Sequence, residues 1–276
     1  MAIRDILVHL GDDPRNDVRT NVALGLAAKH EARVIGLYVL PIPTWPATAE
    51  GYVPVDLIEK MMKEARAEAD KAKKWFLDAC RKQGVKSEWR LAEGDPLLIV
   101  PEQARYADLV VVGQVEEDMD VDRPSGVIGL PEETALTAGR PVLIVPYAGK
   151  FRTVGKRVLV AWNGSREATR AVHDALPLLT RAQKTIVFSV NADTESHIPG
   201  ADISAHLARH GVKAEAQHTV AKDIEVGDAL LGAASDLSID LIVMGCYGHS
   251  RLREFVLGGA TRDLLRHMTV PVLLAH

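Results

Sequence analysis

Five segments of this chain recur in one order. Arg157–Trp162 (RVLVAW) repeats Asp5–Leu10 (DILVHL) 152 residues on, and Thr185–Asn191 (TIVFSVN) repeats Arg33–Leu40 (RVIGLYVL) at about 151. Gly211-Val212-Lys213 repeats Gly84-Val85-Lys86 at 127, Asp240 to Gly245 (DLIVMG) repeats Asp108 to Gly113 (DLVVVG) at 132, and Pro271 to Leu274 repeats Pro141 to Ile144 at 130. Ordered self-similarity of this kind means one supersecondary plan built twice. The drop in offset places a deletion of about 24 residues between the second and third strands of repeat two.

The repeated pieces are short apolar runs rich in β-branched residues, which read as buried parallel strands when helical stretches separate them. In repeat one, strands are expected at Asp5–Leu10, Arg33–Leu40, Val85–Leu91, Leu109–Val112 and Pro141–Val145. A helix ending near His30 follows the first strand. Residues 41–54, rich in proline, are an irregular loop. A long helix then runs to Gly84, capped by Asp56 with Glu59 in capping-box position and striped by Leu57, Met61, Ala65, Ala72, Phe76 and Ala79. Further helices are expected over Pro96–Tyr106 and Glu132–Ala138. In repeat two a shorter helix, Ala201–His210, replaces the long one, and Tyr147–Lys156 links the halves. The fold class is thus α/β, with two tandem doubly wound five-stranded parallel-sheet domains over residues 1–147 and 156–276.

The chain is 276 residues long, 47% apolar, with a net charge of −4 and no basic cluster, which argues against a nucleic-acid surface. No apolar run approaches the ~20 residues of a membrane span, and the start carries no apolar signal region. Cys80 and Cys246, far apart, suggest no disulfide framework. A cytoplasmic, reducing setting with no membrane partner is the expectation.

One stretch carries ligand chemistry. The strand ending Met244-Gly245 leads into Gly245-Cys246-Tyr247-Gly248-His249, nine residues after Gly248 come Gly258-Gly259-Ala260-Thr261, and helical spacing follows at Leu264, Leu265 and Met268. Glycines let the backbone approach an anion, and the unpaired N–H groups of a helix's first turn point at it.

These residues resemble the universal stress protein family in its tandem form. The resemblance covers nearly the whole chain and rests on Val158 to Ser165 (VLVAWNGS), the Asp-Leu-(Ile/Val)-Val-x-Gly strands and the closing Pro-Val-Leu strands. It implies an adenine-nucleotide alpha-hydrolase-like fold with strand order 3-2-1-4-5 and a ligand crevice between strands one and four. ATP-binding members carry Gly-x2-Gly-x9-Gly-(Ser/Thr). Gly245, Gly248 and Gly258 fall on its glycines, whereas Gly259 stands where Ser or Thr is usual; Thr261 could supply a hydroxyl. Asn163 replaces the Asp that commonly ends the first strand. The resemblance thereby assigns Ala161, Asn163, Met244, Gly245, Gly248, His249, Gly258, Gly259, Ala260 and Thr261 to an ATP site, with Mg²⁺ accompanying the nucleotide. Repeat one keeps Gly113 but has Glu116 at the second glycine, amid Glu117, Asp118, Asp120 and Asp122, and Gly11 for the strand-end Asp. Carboxylates there would repel phosphate, so this half is expected to bind none.

Other candidates have two readings each. Asp202, His206 and His210 lie at i, i+4, i+8, as a metal-holding stripe or a solvated helix face. Cys246, near His249, is a reactive thiol or a small loop residue. Arg251 and Arg253 meet phosphates or confer solubility, and the run Glu116 to Asp122 binds a divalent ion or is a solvated loop. No nucleophile–base pair stands out and no Walker lysine is present, so dedicated catalysis is not expected. The reading is a stress-response regulatory protein binding ATP in its second half. The alternative is an interaction module of the same fold with no nucleotide, and a third reading is a slow ATP hydrolase. The closing strands Pro141–Val145 and Pro271–Ala275, short and apolar, are expected at or near the contact of an intramolecular pseudo-dimer. A homodimer and a protein partner remain open.

Overall fold

The computed structural model describes residues 2–11, 13–40, 54–115, 127–192, 198–246 and 259–276. Repeat one runs β1 (Asp5–Leu10), α1 (Asn16–His30), β2 (Arg33–Leu40), α2 (Val55–Lys82), β3 (Ser87–Glu93), α3 (Pro96–Ala104), β4 (Leu109–Gly113), α4 (Leu130–Thr137) and β5 (Val142–Val145). Repeat two runs β6 (Arg157–Ala161), α5 (Arg166–Leu179), β7 (Lys184–Val190), α6 (Ala201–Arg209), β8 (Ala214–Thr219), α7 (Val226–Asp236), β9 (Leu241–Gly245), α8 (Gly259–His267) and β10 (Val272–Ala275).

The strands lie in the order β3-β2-β1-β4-β5-β10-β9-β6-β7-β8. Each half has the order 3-2-1-4-5 and is parallel throughout. The halves do not keep separate sheets. β5 and β10 pair antiparallel, Leu143 opposite Leu273, and fuse them into one ten-stranded sheet. Alternation along the strands sorts the core into two layers. Ile6, Val8, Leu109, Val111, Leu241, Val243 and Leu273 face α1, α2, α5 and α6, whereas Leu7, Val110, Ile242, Val272 and Leu274 face α3, α4, α7 and α8. Both layers run across the junction.

The aspartate that opens the repeated Asp-Leu-x-Val motif has a structural task in each half. Asp108 Oδ2 accepts the N–H groups of Arg4 and Asp5, at 2.7 and 3.0 Å, and Asp240 Oδ1 accepts those of Lys156 and Arg157, both at 2.9 Å. A carboxylate at the foot of the fourth strand thus holds the start of the first, setting the register of the two strands that flank each crevice.

Several boundaries shift for identifiable reasons. The third strand begins at Ser87, not Val85, because Gly84 adopts φ +67° and the Val85 N–H turns back to the Cys80 carbonyl at 3.0 Å, closing α2 in a left-handed cap. Asp56 does not cap α2. Pro54, extended, stands at the cap position and no side chain bonds the first turn, so Asp56 lies inside it as a charge favourable to the helix dipole. Of the expected α2 stripe only Phe76 is buried; Ala65, Ala72 and Ala79 are half-buried against the core, and Leu57 and Met61 remain 45% and 38% exposed, while Ala69 and Cys80, outside the stripe, are buried. Phe76 packs where a Cβ on Gly36 would stand, 2.9 Å from its ring. α3 stops at Ala104, short of Tyr106. Residues 41–53, 116–126 and 247–258 carry the expected proline-rich loop, the acidic run and most of the glycine loop, and lie outside the described residues. Among the described residues no helix is long and apolar enough to cross a membrane.

Candidate functional site

A crevice opens at the carboxyl end of a parallel sheet where neighbouring strands send their connections to opposite faces. β1 and β4 meet this condition in repeat one, β6 and β9 in repeat two, since α1 and α5 cover one face and α4 and α8 the other.

In repeat two Val160 lies opposite Val243, so β6 and β9 end side by side. Ala161 is half-buried, Met244 buried and Asn163 exposed. Asn163 Oδ1 accepts the Ser165 N–H at 3.1 Å, and Ser165 Oγ caps α5 by accepting the Ala168 N–H at 3.1 Å. This folded corner drives the first turn of α5 against β9. A Cβ on Gly245 would lie 2.3 Å from the Glu167 carbonyl carbon and 2.4 Å from the Ala168 nitrogen, so only glycine fits. The glycine signal read from the sequence as an anion approach is therefore, at Gly245, first a helix-packing requirement.

α8 supplies the N–H groups. Gly259 begins it exposed, Ala260 is half-buried and Thr261 is buried in its first turn. Its seat is set by α7: a Cβ on Gly227 would come within 3.0 Å of both Asp263 Cβ and the Leu264 nitrogen. As in any α-helix, its first-turn N–H groups have no intrahelical partners, an arrangement that suits an anion. Gly248, His249 and Gly258, with Arg251 and Arg253, lie outside the described residues.

Cys246 is not a reactive thiol. It is 1% exposed; its N–H and Sγ both approach the Ala275 carbonyl oxygen, at 3.0 and 3.5 Å, and its own carbonyl oxygen meets His276 Nδ1 at 3.1 Å. Burial, reinforced by the Glu167 carboxylate, pushes the thiol up to about 12. A nucleophilic cysteine needs the opposite environment. Glu167, absent from the sequence-based site, is buried beside it. Its carboxylate is held below the usual range chiefly by its own backbone N–H, against the opposing effect of burial, and further by Arg166 and His276.

The crevice of repeat one is filled from within. Arg19, 3% exposed, sends its guanidinium over Gly113, where a Cβ would stand 2.5 Å from Nη1. Nη2 bonds Asp13 Oδ2 at 2.5 Å and Asn16 Oδ1 at 2.6 Å, and Nε donates to the His9 carbonyl oxygen at 3.2 Å. Burial first, and Arg19 second, push the His9 imidazole down to about 3, against the pull of Asp13. By the offset of the first strands Arg19 corresponds to Ala171, whose methyl cannot span that space, and Asp13 to Ser165, which caps α5 instead. An arginine inside an otherwise apolar helical stripe (Val18, Val22, Leu26) was the sequence signal for this plug.

The Asp202, His206 and His210 stripe does not close into a metal centre. The exposed rings of His206 on α6 and His210 at its C-cap lie with centroids 4.8 Å apart and planes tilted by 55°, but among the described residues no three His, Cys, Asp or Glu side chains gather as a ligand set.

Against known proteins, the model of the universal stress protein family matches residues 2–120 and again 155–276. A universal stress protein of Synechocystis sp. is 30% identical over 138 residues, 49% of this chain and 46% of its own, so the chain spans about half the length of that relative. Among solved structures, a universal stress protein from Archaeoglobus fulgidus superposes with a TM-score of 0.72 at 17% identity, over 98% of this chain and 95% of that one. A putative universal stress protein from Pseudomonas aeruginosa gives 0.61 at 16% identity, over 99% and 93%. These structural likenesses speak for the fold; the twofold family match, on the two halves that the sheet displays, settles the kinship. The chain belongs to the universal stress protein family.

Proposed function

We propose that this protein is a stress-response regulator that binds one adenine nucleotide, ATP, at the carboxyl ends of β6 and β9, with residues 156–276 as the binding domain and residues 1–147 as a non-binding scaffold domain. The observation that carries the reading is the asymmetry of the two crevices: Arg19 and Asp13 fill one, and Ala171 and Ser165 stand in their places in the other. The nucleoside would lie against Ala161, Asn163, Met244 and Gly245, and the phosphates against the α8 N-terminus at Gly259, Ala260 and Thr261, with Gly248, His249 and Gly258 completing the loop. Mg²⁺ would arrive on the phosphates. Asn163 Oδ1 already accepts the Ser165 N–H and Glu167 is engaged by Arg166, so these residues offer no independent metal site. With neither a Walker lysine nor a charged residue in Asn163's place, the site grips and does not hydrolyse.

The packing role of Gly245 favours the rival, an interaction module with no nucleotide, because that glycine needs no ligand to explain it. Titration calorimetry of the full chain with Mg-ATP separates them. One site per chain, abolished by Gly248→Glu, supports the nucleotide reading. No heat supports the rival, and two equal sites would refute the assignment of repeat one as scaffold.

A further inference from the structure

In repeat one, the residue that follows the first loop glycine is Gln114; in repeat two, at the same offset, it is Cys246. The two have parted company. Cys246 stays within its own half, its thiol on the Ala275 carbonyl oxygen. Gln114, 8% exposed, crosses to the other. Its Nε2 donates to the carbonyl oxygens of Leu265 and Arg266, at 2.8 and 3.2 Å, and its Oε1 accepts the Tyr147 N–H at 3.0 Å. Leu265 and Arg266 close α8, the helix whose opposite end begins at Gly259. The last four carbonyls of a helix find no N–H within it, and a buried amide donor aimed at two of them satisfies groups that would otherwise be costly to hide. The donor also lies at the negative end of the helix dipole. Beyond the burial of Leu264 and Leu265 in the core layer, α8 is held along its side by the Gly227 contact with α7, within its own repeat, and at its C-terminus by a side chain from the other repeat.

We infer that Gln114 is a positioning residue for the ligand site of the opposite repeat. Gln114, at the position that follows the first loop glycine, is the clamp that orients the α8 first turn in repeat two. This rests on the nucleotide reading for its consequence in binding, but not for the clamp itself. A nine-residue helix seated on one face can still shift along and about that face as a rigid rod, and holding its far end confines where its first-turn N–H groups point. Repeat one thereby contributes, through Gln114, to a site assigned to the other repeat, which gives a reason for the two halves to stay on one chain.

The test uses the full chain with Gln114→Glu, which removes the donor yet keeps an acceptor for Tyr147, and Gln114→Met, of similar length and without hydrogen-bonding nitrogen or oxygen, should the first fail to fold. Amide hydrogen exchange without ligand reads the clamp directly. Exchange across α8 should accelerate about tenfold, the scale of one buried hydrogen bond, with β1 and β6 unchanged. Calorimetry with Mg-ATP reads the consequence: an affinity several-fold weaker at unchanged stoichiometry. Unchanged α8 exchange in a folded variant would overturn the clamp. Faster exchange with wild-type affinity would overturn its role in positioning the site. If the unsubstituted chain binds no ATP, the nucleotide reading fails separately, and the exchange measurement alone decides for or against the clamp.

Discussion

Buried ionisable side chains mark where this protein has specialised, and they set its response to pH. His9 and His30 are both held neutral. Burial and Arg19 take His9 to about 3, and burial with Arg181 and Lys29 takes His30 to about 4. In the unfolded chain both protonate near 6.5, so as pH falls below that value the unfolded state takes up protons that the folded state refuses. The contribution of these two histidines is full above pH 6.5 and should decline by ~1.4 kcal/mol per pH unit per group until the folded values are reached. Denaturant titrations between pH 7 and 4 should show this slope, reduced by about half in His9→Gln. The thiols work in the other direction. Burial raises both Cys80 and Cys246, the latter to about 12, so the folded state keeps protons that the unfolded state releases above about pH 8.5. Stability should fall as pH climbs from there. At pH 8 an aromatic disulfide reagent should label neither cysteine in the native protein and both after denaturation; rapid labelling of Cys246 would contradict its seal.

At the level of helices and strands, the contact of α7 with α8 through Gly227 is the most exacting. Gly227→Ala places a methyl against backbone at 3.0 Å, and the helices must separate to admit it, at a cost of about 2 kcal/mol. Urea unfolding should show that loss, and on the proposed nucleotide reading, in which the α8 first turn would face the phosphates, Mg-ATP affinity should fall with it. Most strands were legible because a buried parallel strand is a short apolar run, and the duplication supplied each run twice. Helix ends were less so: the Val85 N–H serves the cap of α2, a tertiary decision that no strand propensity reveals. The capping-box pattern at Asp56 and Glu59 misled for the same reason, since the extended Pro54 sets the start. The stripe of α2 pointed to the right helix but ran two turns beyond the sheet that could bury it. Within the site, the sequence named Gly245 without its reason, and named neither Glu167 nor Arg19. Their significance lies in what the fold brings against them, a thiol in one case and a glycine in the other.

At the scale of the whole molecule the two repeats share their core. Leu143 and Leu273 pair across the junction, and both apolar layers continue through it. The halves should therefore unfold together. Trp89 on β3 reports repeat one and Trp162 after β6 reports repeat two, both half-buried against the same core layer. With the remaining tryptophans replaced by Phe, single-Trp variants should give coincident urea midpoints by fluorescence, matching circular dichroism. Midpoints separated by more than about 1 M, at slopes near 2 kcal/mol per M, would show halves that fold independently.

Fusing the sheets also decides how the protein meets its neighbours in a crowded solution. Two separate five-stranded sheets would present four open margins, each a row of unpaired backbone groups able to recruit a strand from another molecule. Joining them through β5 and β10 hides the two most apolar margins inside one sheet and, among the described residues, leaves β3 and β8 outermost. Those two are the polar strands. Glu88 and Arg90 stand on β3 in a charge network with Arg33 and Asp5, and Glu215 on β8 is paired with Lys184. A chain recruited at either margin would have to desolvate these charges for little apolar burial in return. The duplication thus gives the molecule a safeguard against lateral polymerisation that neither half would possess alone.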